Sequence, residues 1–252
     1  MFRQLTFGSL DVRIYPAARS MGQAAADFVA GSINQAIREK GQANLILATG
    51  ASQFSFLDAL QTHEIDWQRV VVFHLDEYKD LPDTHPASFR KYLKERILDE
   101  VKPKKVYLLN GDAVDTSAEM ERYSQALGNH TIDIACIGIG ENGHIAFNDP
   151  PVADFDDPRL VKVVRLDEAC RQQQLGEGWF PTLADVPREA LTLTIPAIMR
   201  CKRISCVVPD QRKAVAVKQT LMEAISTKCP ASILRTHADT VLFLDEASAA
   251  LV

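Results

Sequence analysis

The stretch Ile132–Pro150, IDIACIGIGENGHIAFNDP, decides how this chain is read. It starts as a continuously apolar run, the pattern of a strand covered on both faces. Gly138 and Gly140 then let a turn pass close to a ligand, and Gly143 frees the backbone just before His144. A histidine can exchange protons near neutral pH. Asn142 and Asp149, two residues before it and five after, are near enough to orient its ring or share its proton. The segment IAF is too apolar for a solvent-facing turn, and Asn148-Asp149-Pro150 ends it. A structural histidine in a connecting turn fits the same letters. The choice depends on what the rest of the chain brings beside His144.

Further runs of the same kind predict strands over 11–15, 44–49, 70–75, 105–109, 132–139, 160–166, 190–195, 204–208 and 240–244. Helical patterns fill the gaps. From 17 to 39, Met21, Ala25, Val29, Ile33 and Ile37 recur every four residues as one apolar stripe. Thr116 and Glu119 have capping-box spacing ahead of another helix, and RKAVAVKQTLMEAI (212–225) reads as a third, its alanines and valines toward the core. Alternation of this kind implies an α/β fold, a three-layer αβα sandwich around a mostly parallel, Rossmann-like sheet. No repeat or linker divides the chain, so one domain over 1–252 is expected.

Composition narrows the function. The 252 residues carry 28 Lys and Arg against 33 Asp and Glu, a net charge of -5. That balance argues against nucleic acid and anionic membrane as partners, while leaving room for a small anion held by a local lysine or backbone nest. The N-terminal MFRQLTFGSLDVRIYP lacks a signal-peptide core, and no apolar run approaches the roughly 18 residues of a membrane helix. Five dispersed cysteines without a C-x-x-C pair read as reduced core thiols of a cytoplasmic protein, with no metal site.

In open parallel sheets, ligands bind beyond the carboxyl ends of the strands. Two further loops there carry chemistry. In ATGASQFSF (48–56), Gly50 can take a shape closed to other residues, hydroxyls come from Thr49, Ser52 and Ser55, and a helix begins near Gln53 or Phe54. Phosphate favours free N–H groups at such a helix start, although a plain N-cap by Ser52 explains the letters too. In HLDEYKDLPDTHPASF (74–89), adjacent Asp76 and Glu77 follow a buried strand. A carboxylate there is placed as a general base, provided it is partly desolvated; a solvated turn is the alternative.

Taken together, these loops resemble the glucosamine-6-phosphate deaminase/isomerase family, relatives of 6-phosphogluconolactonase, in the same order over nearly the whole chain. Thr49-Gly50-Ala51-Ser52-Gln53 meets the family's phosphate loop, Asp76-Glu77-Tyr78 its D-E-Y, and Gly138–Pro150 its long histidine motif. The resemblance implies an amino-sugar 6-phosphate substrate, with Thr49, Gly50, Ala51 and Ser52 on the phosphate and Glu77, Gly140, Gly143, Arg171 and Lys213 among the binding groups. It implies that His144, supported by Asn142 and Asp149, opens the sugar ring. Asp76 then moves the C2 proton to C1 through an enediol-type intermediate, releasing ammonia and fructose 6-phosphate. No metal or organic cofactor is implied, and a homo-oligomer is left open.

Three departures stand out. Asp149 replaces the family's usual Glu, which withdraws the carboxylate by about one methylene, and ~1 Å of misplacement can cost on the order of a hundredfold in rate. Asn142 replaces a frequent Asp. Gly176 falls where the family has a phosphate-binding arginine, in a Gly-Glu-Gly-Trp stretch (176–179) that reads either as a flexible lid or as a turn pinned by Trp179. A lactonase-type hydrolase with His144 as base, or a non-catalytic sugar-phosphate sensor, are the alternative functions.

Overall fold

The computed structural model describes residues 2–252. In chain order the elements are β1 (Arg3–Phe7), β2 (Leu10–Tyr15), α1 (Ala18–Lys40), β3 (Ala43–Leu47), α2 (Phe54–Leu60), β4 (Val70–His74), β5 (Asp76–Tyr78) and α3 (Phe89–Leu93). A π turn (Lys94–Leu98) carries α3 into α4 (Asp99–Val101), followed by β6 (Lys105–Tyr107), α5 (Thr116–Gly128) and β7 (Ile134–Ile137). Then come β8 (Val161–Arg165), α6 (Glu168–Gly176), β9 (Glu189–Leu193), α7 (Ile195–Met199), β10 (Arg203–Val208), α8 (Ala214–Met222) and β11 (Thr240–Asp245).

Eight strands form the main sheet in the order β1-β2-β11-β10-β7-β3-β4-β6, all parallel except the β1 edge. Successive residues of a strand face opposite sides, and here each side has a layer to meet it. Ile46, Val71, Phe73, Ala135 and Ile137 join one core with α5, α7 and α8; Leu45, Leu47, Val70, Val72 and Cys136 join the other with α1, α2 and α3. The three-layer α/β sandwich expected from the alternation is therefore present.

The parallel sheet does not take every strand the sequence suggests. Segments 160–166 and 190–195 do form β8 and β9, but these pair antiparallel with β5 in a separate three-stranded sheet. The Asp-Glu-Tyr segment is thus a strand and not a turn. The chain changes sheets at Leu75: its N–H still donates to Leu47 in the main sheet (3.2 Å), while its carbonyl accepts from Leu193 of β9 (3.1 Å). A third apolar cluster, centred on Tyr78, Phe147, Phe180 and Ala190, fills the space beneath the small sheet.

Local expectations were met unevenly. The α1 stripe buries Met21, Ala25, Val29 and Ile33, and the helix stops where Gly41 takes a left-handed cap (φ 79°). The α5 cap is Asp115, which accepts from Ala118 N–H; Glu119 accepts from Asn110 N–H instead of closing a box on Thr116. Ser52 does not cap α2, which follows a short 3₁₀ turn (Ala51–Gln53). On α8, Ala214, Ala216 and Val217 are buried but Val215 is exposed. Strand β1 was missed, because Arg3–Phe7 has neither a continuous apolar run nor clear alternation. No helix among the described residues is long and apolar enough to cross a membrane.

One side chain locks the end of β4, just before the change of sheets. The Tyr123 hydroxyl, buried on α5, accepts from His74 N–H at 2.8 Å and donates to His74 C=O at 2.6 Å. Burial and the nearby Arg90 charge push His74 itself down to about 3, so its ring stays neutral. Tyr123→Phe should cost about 1–3 kcal/mol, the penalty for orphaning buried polar groups. Urea unfolding with an unchanged midpoint would show that the hydroxyl is dispensable.

Candidate active site

Strands β3 and β7 are sheet neighbours, yet the chain runs outward from them in opposite directions, through β4 and β6 on one side and β10 and β11 on the other. The loops leaving β3 and β7 therefore diverge at a topological switch point, where such sheets open a crevice. A cavity of about 530 Å³ lies there. Its walls include Thr49–Ser52 after β3, Asp76 after β4, Gly138–Glu141 and His144 after β7, Asp210–Lys213 after β10, and Gln173, Gln174 and Glu177 of the α6 region.

Asp76 is 6% exposed, and its carboxyl has no hydrogen-bond or ion-pair partner among the described residues. Burial, and then the neighbouring Glu77 charge, raise it well above the ordinary carboxylate value. A carboxylate so disposed is a stronger base than a solvated one. Glu77 points the other way, as strand alternation demands. Ser88 Oγ, the N–H groups of Phe89 and Arg90, and Arg90 Nε enclose its carboxylate at 2.9–3.1 Å. Glu77 does not line the cavity. The binding position expected from the sequence is not on the cavity wall; the contacts of Glu77 anchor the start of α3.

His144 forms the cavity floor, with its ring packed against Gly140. Its Nδ1 lies 2.9 Å from Asp149 Oδ1. Asn142 donates to the same oxygen at 3.0 Å and accepts from His144 N–H at 3.1 Å, while Asp167 N–H reaches Asp149 Oδ2 at 3.3 Å. Burial pushes Asp149 up, but these hydrogen bonds outweigh it and hold the carboxyl below its ordinary value. A charged Asp149 favours the Nδ1–H tautomer, leaving Nε2 as the working nitrogen. The expected one-methylene withdrawal is not seen as a gap: the backbone brings Asp149 within hydrogen-bond reach. Asn142 and Asp149 stand behind the histidine and do not face the cavity.

The apolar IAF segment is explained by its burial. Ala146 takes a left-handed conformation (φ 51°), Phe147 N–H donates to Thr192 Oγ1, and Asn148 Nδ2 bonds the carbonyls of Ile145 and Leu193. The loop is thereby stitched to β9.

The residues expected to hold an anion are only partly brought together on the cavity wall. Gly50 (φ 94°) opens a turn whose first N–H groups have no intrahelical acceptor, and Tyr92 OH fixes its carbonyl at 2.9 Å. Lys213 reaches the opposite wall, 7% exposed and without an ion pair among the described residues. Burial lowers its basicity, Glu141, Glu177 and Asp210 push it back up, and Arg212 lowers it further. Two expected contacts lie elsewhere. Arg171 bonds the carbonyls of Leu183 and Val186, pinning α6 to the following loop. Gly143 turns away from the cavity (φ 81°) against Cys229. Both corrections have one cause: spacing places a residue in a loop but not on a face of it.

Sequence reasoning did not single out Glu141, Gln173, Gln174, Glu177, Arg212 or Asp167 as site residues. The Gly-Glu-Gly-Trp stretch did mark Glu177's loop, and Arg212 adjoins Lys213; the roof residues had no motif to announce them. Among the described residues, one group suits a metal: His144, Asp149 and Cys170, with donor atoms within 4.8 Å of one another. Burial drives the Cys170 thiol far up, and His144 Nδ1 is already paired with Asp149 at 2.9 Å, so the trio reads as a buried support for the imidazole.

Two predictions follow from this geometry. A Cβ on Gly140 would fall onto the His144 ring, so Gly140→Ala should lower turnover on the order of a hundredfold while the far-UV spectrum stays native. Asp76 holds its proton more tightly folded than unfolded. Its contribution to stability is therefore greatest below the ordinary carboxylate value and is lost as pH rises toward the raised one. Asp76→Asn should accordingly raise Tm at neutral pH, by roughly 2–4 °C per kcal/mol gained, and less at acid pH. A lower Tm at pH 7 would contradict the unpartnered carboxyl.

A family model described as glucosamine-6-phosphate isomerases/6-phosphogluconolactonase matches residues 16–243. A glucosamine-6-phosphate deaminase of Exiguobacterium sibiricum is 38% identical over 206 residues, 82% of this chain and 80% of that one. One of Bacillus thuringiensis is 35% identical over 219 residues, 87% and 82% of the two chains. The solved structure of a monomeric glucosamine-6-phosphate deaminase superposes with a TM-score of 0.85 at 34% identity, covering 96% of this chain and 99% of that one. A 6-phosphogluconolactonase from Trypanosoma brucei shares the fold, with a TM-score of 0.77 at 16% identity over 98% and 99%. With a family match over most of its length and relatives above one-third identity, this chain belongs to the glucosamine-6-phosphate isomerase/6-phosphogluconolactonase family.

Proposed function

We propose that the protein is a glucosamine-6-phosphate deaminase, converting the amino-sugar phosphate and water into fructose 6-phosphate and ammonia. The observation that carries this reading is the meeting of Asp76, His144 and the Thr49–Ser52 turn on one cavity. Lactone hydrolysis needs a base for water but no second, buried carboxyl. Isomerisation needs a base on carbon, and Asp76 is the unpartnered carboxyl of that cavity.

The steps assign each group one task. The phosphate settles against the Thr49–Ser52 turn and Lys213. His144 Nε2 takes the proton of the anomeric hydroxyl and returns it to the ring oxygen as the C1–O bond to that oxygen breaks. Asp149 carries the charge of the transient imidazolium, and Asn142 fixes the carboxylate against it. In the open form C1 is an aldehyde. Asp76 removes the C2 proton, the electrons pass through C2=C1 to the carbonyl oxygen, that oxygen takes a proton from the substrate's C2 ammonium, and an enolamine forms. Asp76 then returns the proton to C1, leaving an imine at C2 that water hydrolyses. The carbonyl next to C2 supplies the electron sink, so these steps balance with protein groups alone.

Incubation with glucosamine 6-phosphate should release ammonia and fructose 6-phosphate one to one. Asp76→Asn should lower turnover by on the order of 10²–10⁴ and abolish C2 exchange in deuterated water. The rate should rise with pH along a limb lying above the ordinary carboxylate range, because burial raises Asp76 and only its ionised form accepts a proton. Hydrolysis of a sugar-phosphate lactone without ammonia release, or ligand binding without turnover, would replace this reading.

A further inference from the structure

The cavity is charged against its proposed ligand. Five carboxylic residues line it, Asp76, Glu141, Glu177, Asp210 and Asp245, against two cations, Arg212 and Lys213. One ammonium presents its donors from a single point, whereas a phosphate dianion offers three oxygens and is matched by a guanidinium fork. Among the described residues, Arg212 is the only guanidinium on the wall.

Its setting is that of a prepared group. Asp210 grips it with one oxygen, accepting from Nε at 3.2 Å and Nη2 at 3.1 Å, and with the other accepts Arg212 N–H at 2.9 Å. Asp210 stands in the left-handed region (φ 86°), and its own N–H is held by both oxygens of Asp245 at 3.2 Å. Asp245 ends β11 in the main sheet. The guanidinium is thus braced through two aspartates to the rigid core. Its remaining face, Nη1, has only Glu141 Oε1 at 3.7 Å, beyond hydrogen-bond length. The guanidinium is oriented and charged, its side chain is 51% exposed, and it lies beside Lys213 in sequence and on the same wall.

We propose that Arg212 is the second cationic ligand of the substrate phosphate, supplying the guanidinium that position 176 lacks, and that Glu141 competes with the phosphate for it. The assignment rests on the deaminase reading for its substrate, but its chemistry is that of any phosphate monoester in this cavity. The bland alternative is an exposed Arg–Asp pair two residues apart. Such pairs contribute little to stability, so removing Arg212 should leave the fold intact.

The test uses the full chain and two readouts. With inorganic phosphate as probe, Arg212→Ala should weaken the phosphate-dependent rise in Tm, corresponding to a Kd raised on the order of tenfold. With glucosamine 6-phosphate, the same variant should raise KM by a similar factor and leave kcat within about threefold, since the phosphate lies away from the reacting carbons. Arg212→Lys should recover part of the loss. Arg212→Gln, which keeps a donor for Asp210, should behave like the alanine variant and serves in its place if that one does not fold. Glu141→Gln should shift phosphate affinity the other way. Unchanged phosphate affinity in Arg212→Ala, or weaker binding in Glu141→Gln, overturns the proposal. If the wild-type chain releases no ammonia, the deaminase reading fails, while the phosphate titrations still decide the role of Arg212.

Discussion

The whole arrangement depends on keeping a bare carboxyl inside the protein. Asp76 sits at the bend where the chain leaves β4 of the large sheet and enters β5 of the small one, and nothing nearby neutralises it. A buried group of this kind works against folding unless its surroundings over-determine its position. They do so on both sides. Upstream, Tyr123 fixes both backbone polar groups of His74; downstream, Glu77 is enclosed by the first amides of α3 and by Arg90. The Arg90 guanidinium is in turn bound to Asn110, Asp112 and the Leu81 carbonyl. Rigid neighbours let the one unpaired side chain face the ligand without collapsing onto a partner of its own.

The same economy explains why Glu77 and Arg171, expected from the sequence as binding groups, do not line the cavity. Both are charged residues in motif positions, yet Glu77 is spent on Ser88, Arg90 and the first amides of α3, and Arg171 Nη2 on the Leu183 and Val186 carbonyls. Glu77 holds the entry of α3, and Arg171 holds the loop after α6. Their effect on the chemistry is to fix where Asp76 and the cavity roof lie.

Much of this was legible in the letters. Apolar runs marked the central strands because residues covered on both faces must be apolar. The glycine–histidine segment marked the floor, because only glycine leaves room for an imidazole against the backbone of residue 140. The small sheet was not legible: β8 (VKVVR) and β9 (EALTL) carry apolar residues as parallel strands do, and only their pairing with β5 tells them apart. The roof was opaque for a related reason. Gln173, Gln174 and Glu177 become site residues only because α6 lies across the cavity, and nothing in a polar helical stretch states what it lies across.

That placement of α6 has a mechanical consequence. Its N-cap is Asp167, which accepts from Cys170 N–H at 2.6 Å and, with its other oxygen, from Asn142 at 3.3 Å. Asp167 N–H meets Asp149, the carboxylate behind His144. Further along, Gln173 accepts from Glu141 N–H at 2.9 Å, on the loop that carries Asn142. The helix that roofs the cavity and the hydrogen bonds that orient the histidine therefore share the same few residues. A rigid swing of α6 would break the contacts of Asp167 with Asn142 and Asp149, loosening the residues behind His144 whenever the cavity opened that way. With α6 in place all of these contacts are made, and the buried Asp149 carboxylate acts on the imidazole at low local dielectric.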